Sequence, residues 1–214
     1  MQRQDSNQKI MAEDNDEKIT QEWFNRKTAL MVDALGPEHE MVMHSLIPFA
    51  IGGSLDLYYF PNGIPGTAIA TKELSEICGE GSSNDVFDNY ELVMFTKHSL
   101  SLEDAQDGNT PFGEAHSTIN AILNCMACYS AEATLNPCQT CEFPEDMETV
   151  GGRCLIFDAY GAKEEHADFG LLALIEIHRS EMQYAMDHKG KDLLDKLKQA
   201  GYYPYSDLDR PAVV

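Results

Sequence analysis

The chain has 214 residues, 43% of them hydrophobic, which is enough to bury a sizeable core in one large domain. Its 36 Asp and Glu against 15 Lys and Arg give a formal net charge of -21. That charge excludes direct binding to nucleic acid or to an anionic membrane, which would repel it, and permits a basic protein partner. No apolar run approaches the roughly 20 residues of a spanning helix, and the N-terminus lacks the apolar stretch of a secretory signal. The expected location is therefore cytoplasmic, with the six cysteines reduced.

Residues 1–21 are polar and acidic and read as an N-terminal arm, either mobile or the solvated start of a helix. The folded domain is expected over 22–211. Glu22–Leu35 predicts a helix with Phe24, Leu30, Met31 and Ala34 as its apolar points and Gly36-Pro37 as its stop, and Trp23 is assigned to the core. His44–Phe60 reads as strand material. Its last part alternates, with Leu55, Leu57 and Tyr59 on one face and Asp56, Tyr58 and Phe60 on the other. A turn at Pro61-Asn62-Gly63 leads to a short strand over Thr67–Thr71, and a Gly/Ser/Asn/Asp loop over Gly79–Asn89 leads to a central strand at Tyr90–Thr96.

After a polar loop, Glu114–Tyr129 predicts a helix with Ala115, Ile119, Ile122, Met126 and Tyr129 on one face. A short strand is expected within Cys138–Phe143. Two apolar runs, Cys154–Phe157 and Phe169–Ile177, flank a polar turn at Gly161–Asp168 and read as central strands. Ser180-Glu181-Met182-Gln183 fits a capping box opening a helix that Gly190 breaks. Lys191–Ala200 predicts a last helix with Leu193, Leu194, Leu197 and Ala200 on one face and Gly201 as its stop. This order defines an α+β fold, a mixed central β-sheet with helices packed on it.

The sharpest chemical motif is Cys125-x-x-Cys128 followed by Cys138-x-x-Cys141, two pairs able to hold a tetrahedral zinc. Against that stand the mid-helix position of the first pair and the Glu142-Phe143 that follows the second. Reduced, buried thiols are the main reading and zinc the minority one. His44, His98, His116, His166 and His178 are scattered without a ligand grouping, and pairs such as Glu164-Glu165 or Asp207 and Asp209 arise from acidic abundance. Ser54 after Gly52-Gly53 is a weak nucleophile candidate, the glycines serving a turn or bulge. No nucleophile elbow, phosphate-binding loop or dinucleotide fingerprint occurs. The expectation is a protein without catalysis and without a cofactor, the rival being a hydrolase or transferase with an unrecognised site.

An ordered set of segments resembles the Suppressor of Fused domain. It comprises Ala68–Ser75 ending in Glu-Leu-Ser, Tyr90–Thr96 beginning Tyr-Glu-Leu, the helix Ile119–Tyr129, the turn and strand Leu135–Phe143, the strand Phe169–Ile177, the Ser180-Glu181 helix start, and the closing Tyr203-Pro204-Tyr205-Ser206-Asp207-Leu208-Asp209-Arg210. The likeness spans roughly residues 40–211. It implies a non-catalytic α+β domain that binds other proteins. Animal members hold Gli-type transcription factors in the cytoplasm, and bacterial members are proposed to act as immunity proteins against toxins. This chain ends where the animal protein begins its second domain, and it has Ile69 where a ligand-binding tyrosine is expected, so no ligand residue is carried over. The segment taken as partner-binding is the acidic closing one, with Tyr205, Asp207, Asp209 and Arg210. Its local alternative is that Asp207 closes a turn and Asp209 pairs with Arg210.

Overall fold

All seven residues of Tyr90–Thr96 are buried, as a strand covered on both faces requires. The computed structural model describes residues 2–77, 79–163 and 167–214, with residues 2–16 described by backbone alone. Its elements are α1 (Gln2–Leu35), β1 (Val42–Met43), β2 (Leu57–Phe60), β3 (Thr67–Ala70), β4 (Tyr90–Thr96), α2 (Pro111–Ser130), β5 (Thr140–Glu142), β6 (Cys154–Tyr160), β7 (Gly170–Ile177), α3 (Arg179–Asp187) and α4 (Gly190–Ala200). The strands form one mixed sheet in the order β1-β2-β3-β4-β7-β6-β5. Every neighbouring pair is antiparallel except the central one, β4 with β7. The expected α+β class, with helices on a mixed sheet, is what the chain adopts.

Strand alternation sorts the apolar side chains into two cores. One holds Leu57, Tyr59, Ile69, Leu92, Met94, Leu155 and Leu172 against Ile119, Ile122, Leu123 and Met126 of α2. The other holds Phe60, Ala70, Val93, Phe95, Ile156, Ala173 and Ile175 against Trp23, Met31 and Leu35 of α1 and Leu193, Leu194 and Leu197 of α4. The alternation read at Leu55, Leu57 and Tyr59 holds. Phe60, on the other face, is buried as well, because α1 and α4 cover it.

Several boundaries move, each for a local reason. The helix expected from Glu22 begins at Gln2, so one helix crosses residues 21 and 22. Its buried stripe is Trp23, Lys27, Met31 and Leu35, spaced by four, while Phe24 stays 40% exposed. In His44–Phe60 only Leu57–Phe60 is strand, because Pro48 and Gly52-Gly53 divert the earlier part into a loop with a short 3-10 turn at Phe49–Ile51. In α2 the stripe through Ile119, Leu123 and Met126 continues to Ser130, leaving Tyr129 on the solvent side. That helix starts at Pro111, and Thr110 caps it by accepting from the Gly113 N–H.

The cap of α3 is His178, not Ser180. Glu181 Oε2 accepts the His178 N–H at 2.9 Å, because Glu181 is drawn inward by Arg210. Gly190 opens α4 instead of breaking α3. A Cβ there would lie 1.8 Å from the Cys138 carbonyl oxygen, so close backbone approach explains the glycine. Glu164, Glu165 and His166 lie outside the described residues. Among the described residues, no helix is long and apolar enough to cross a membrane.

Candidate protein-binding surface

The central parallel pair is where the chain changes direction. The helix after β4 packs on one face of the sheet and the helices after β7 on the other. Such a reversal opens a crevice outside the carboxyl ends of the two strands. Their pairing ends at Val93↔Ala173, although β4 runs on to Thr96 and β7 to Ile177. The C-terminal tail fills this divergence. The Ser206 N–H donates to Phe95 O at 2.9 Å, and its hydroxyl accepts the Glu176 N–H at 3.1 Å and reaches Leu174 O at 3.5 Å.

Ser206 anchors the closing segment, and its neighbours follow from that. The Tyr205 hydroxyl donates to Pro65 O at 2.6 Å. Asp207 pairs with Lys97 at 2.7 Å and accepts the Asp209 N–H at 3.1 Å, closing the expected turn. Asp209 does not pair with Arg210. The Arg210 guanidinium is buried and makes two bonds to Glu181, at 2.6 and 2.7 Å. Of the four tail residues taken as partner-binding, the structure brings Asp207 and Asp209 together at the surface, half-buried and exposed respectively. Tyr205 and Arg210 have their polar ends turned back onto the domain.

Beside the tail lies a groove of about 560 Å³, lined among others by Lys97, His98, Glu114, Thr118, Arg153, Glu176, Asp207 and Asp209. Four carboxylates there face two permanent cations, so the groove is acidic. Burial raises the Glu176 carboxyl above its ordinary range, and the neighbouring Arg153 opposes that only in part. Burial acts the same way on Asp207, but the bonds from Lys97 and from the Asp209 N–H outweigh it and leave this carboxyl low. The bond to Asp207 raises Lys97 in turn.

The other titratable groups singled out in the sequence have local partners. The His116 ring nitrogen Nε2 lies 2.8 Å from the Tyr59 hydroxyl, and both side chains are buried. Burial pushes that tyrosine up to about 12 and holds the histidine low. His44 pairs with Asp56 at 2.6 Å. The Ser45 hydroxyl beside it donates to Ile47 O, and Ser54 meets that hydroxyl only through its backbone N–H. His178 binds Arg210 O, and His98 lies on the groove. Gly52 and Gly53 serve the turn, as read.

The four cysteines divide between the two sides of the sheet. Cys125 and Cys141 pack against the α2-side core and Cys138 against the opposite core, while Cys128 is exposed. Burial raises the Cys125, Cys138 and Cys141 thiols, which disfavours the thiolate a metal needs. Among the described residues no group of three or more His, Cys, Asp or Glu could hold a metal ion. Protein purified without chelator is accordingly expected to carry less than about a tenth of an equivalent of zinc by elemental analysis. A full equivalent would overturn the assignment of these thiols as packing groups.

The sequence reading passed over two buried ion pairs, Lys27–Glu91 and Arg210–Glu181, and the exposed aliphatic loop at Leu46, Ile47 and Ile51. Lys27 was legible as the polar member of a stripe spaced by four. The loop was taken for strand.

The described architecture is an α+β domain with a seven-stranded mixed sheet between α2 on one side and α1, α3 and α4 on the other. The sequence matches no protein-family model and no curated protein. Solved structures do match. A chain of the Sufu–Fu complex aligns with 91% of this chain and 92% of its own length, at a TM-score of 0.55 and 13% identity. A putative Suppressor of Fused homologue from Neisseria gonorrhoeae FA 1090 aligns over 91% and 98%, at a TM-score of 0.56 and 14% identity. The chain thus has the fold of a Suppressor of Fused-like domain.

Proposed function

We propose that this chain is a non-catalytic protein-binding domain that sequesters or neutralises a basic protein partner in the cytoplasm, immunity to a toxin being one form of that role. The observation that carries the reading is the fold likeness, over nine-tenths of both chains, to a protein solved in complex with another protein. The net charge of -21 supports it, because an acidic surface speeds encounter with a basic partner and repels acidic ones. The burial of His116 together with the Tyr59 hydroxyl it meets supports the non-catalytic part, since a substrate cannot reach that pair. The reading calls for no cofactor.

Affinity purification from the source cell at low and at high salt tests the proposal. A basic partner retained at low salt and released at high salt is expected. A partner held equally at both, or an acidic one, contradicts the electrostatic part. Turnover in a broad substrate screen contradicts the non-catalytic part. For the tail, Asp207→Asn with Asp209→Asn is expected to weaken the purified partner by about tenfold through two lost surface charges. Unchanged affinity with the fold intact removes these residues from the interface.

A further inference from the structure

Leu46 is 101% exposed, Ile51 75% and Ile47 55%, three aliphatic side chains within six residues facing water. Scattered apolar residues on a surface are ordinary; a contiguous group on a fixed loop is not. This loop is fixed at both ends. The Ser45 N–H donates to Asp56 Oδ1 at 2.8 Å, and the Leu55 N–H donates to Asn124 Oδ1 on α2 at 2.8 Å. Across the loop, the Ser54 and Gly53 N–H groups donate to Ile47 O and Pro48 O at 3.2 and 3.0 Å. Gly53 lies so close to Ile47 that a Cβ there would fall 1.7 Å from the Ile47 carbonyl oxygen. The bonds hold the aliphatic groups outward at little entropic cost to a binder.

The foot of the loop is acidic. Asp56 accepts from Ser45, and its own N–H donates to Glu73 Oε2 at 2.6 Å. Glu76 is close enough to Glu73 to act on its charge, and Ile77 beside Glu76 is 53% exposed. His44 pairs with Asp56 at this foot, and Lys72 is buried and paired with Glu38.

Resting on the protein-binding reading above, we propose that the loop of Leu46, Ile47 and Ile51 is the docking element. Its occupant is a basic protein that offers an apolar socket rimmed by Lys or Arg. The aliphatic tip fills the socket, and Asp56, Glu73 and Glu76 face the cationic rim. This places the apolar anchor on the β1–β2 edge of the sheet, apart from the tail, whose acidic residues act on the same basic partner by longer-range attraction. A second copy of this chain is a poor occupant, since two such acidic feet would meet.

The test installs a photo-crosslinking residue at Leu46, at Ile51 or at the exposed Lys191 of α4, in the source cell. The crosslinked protein is then identified, purified and titrated. A basic protein captured from Leu46 and Ile51 but not from Lys191 is expected, with Leu46→Asp weakening its binding about 30-fold or more, as loss of a central anchor does. Leu46→Asp is fully exposed and should leave the thermal midpoint of the free domain unchanged, which separates lost binding from lost folding. Capture from Lys191 alone overturns the loop and keeps the protein-binding reading. No capture from any position overturns both. Self-association in sedimentation that Leu46→Asp abolishes shows a second copy to be the occupant and overturns the basic-partner assignment.

Discussion

Lys27→Met is expected to lower the unfolding free energy by about 3–5 kcal/mol, the cost of removing one member of a buried ion pair. Lys27 and Glu91 have side chains that are 1% and 0% exposed, and their charged atoms are 3.1 Å apart. The lysine ammonium also donates to Lys72 O at 2.6 Å and Ser75 O at 3.1 Å. Glu91 accepts from the Thr71 and Ser75 hydroxyls and from the Leu74 and Ser75 N–H groups. Lysine thus neutralises a carboxylate that itself organises the chain between β3 and β4.

Buried pairs can often be replaced together by apolar residues at little cost. Here that exchange is expected to fail. Lys27→Met with Glu91→Leu leaves those hydroxyls and N–H groups without an acceptor, and each orphaned buried group costs about 1–3 kcal/mol. The double variant should therefore be no more stable than Lys27→Met alone. Urea unfolding followed by Trp23 fluorescence reads this locally, because the Trp23 indole N–H donates to the same Ser75 carbonyl at 2.7 Å. A loss below about 1 kcal/mol for the single variant, or recovery in the double one, would show the network to be weaker than its geometry implies.

These networks explain why an ordered set of short segments carried the resemblance. Glu-Leu-Ser at 73–75 and Tyr-Glu-Leu at 90–92 meet in space, the Leu74 and Ser75 N–H groups closing on Glu91. Ser180-Glu181 and the closing segment meet likewise through Glu181 and Arg210. The apolar periods made the strands and the α2 and α4 faces legible, because burial on a sheet or helix repeats locally. The ion pairs were not legible, because Lys27 and Glu91 lie 64 residues apart, and the spacing by four that places Lys27 on the buried stripe does not name its partner. The loop at Leu46–Ile51 was misread for a related reason. Its apolar residues face solvent, and a rule that places apolar residues inside takes such a run for strand. The groove was invisible to sequence reading because it arises where β4 and β7 diverge, a property of topology.

Arg210→Met is expected to cost about 3–5 kcal/mol by leaving Glu181 buried and unpaired. The guanidinium binds Glu181 through two nitrogens, donates to Pro211 O at 3.2 Å, and lies 5.2 Å from the Tyr202 ring centre. Arg210→Lys should recover only part of the loss, since an ammonium cannot reproduce two parallel bonds. Glu181 supplies a pH signature. Burial pushes its carboxyl up, but the bonds from Arg210 and from the Val213 and His178 N–H groups outweigh burial and leave it below its ordinary range. A depressed carboxyl contributes stability that is present above its unfolded value and is lost as pH falls through its folded value. The stability gap between wild type and Glu181→Gln is therefore expected to be widest near neutrality and to close in acid. Glu176 should run the other way. Its carboxyl is raised in the fold by burial, so its contribution is present in acid and fades as pH rises through the folded value. Relative to wild type, Glu176→Gln should therefore gain stability as pH rises. Urea midpoints of the three proteins across the acid range check both signs, and a Glu181→Gln gap that does not narrow in acid would mean that the Arg210 bonds, not the charge on Glu181, hold the tail in place.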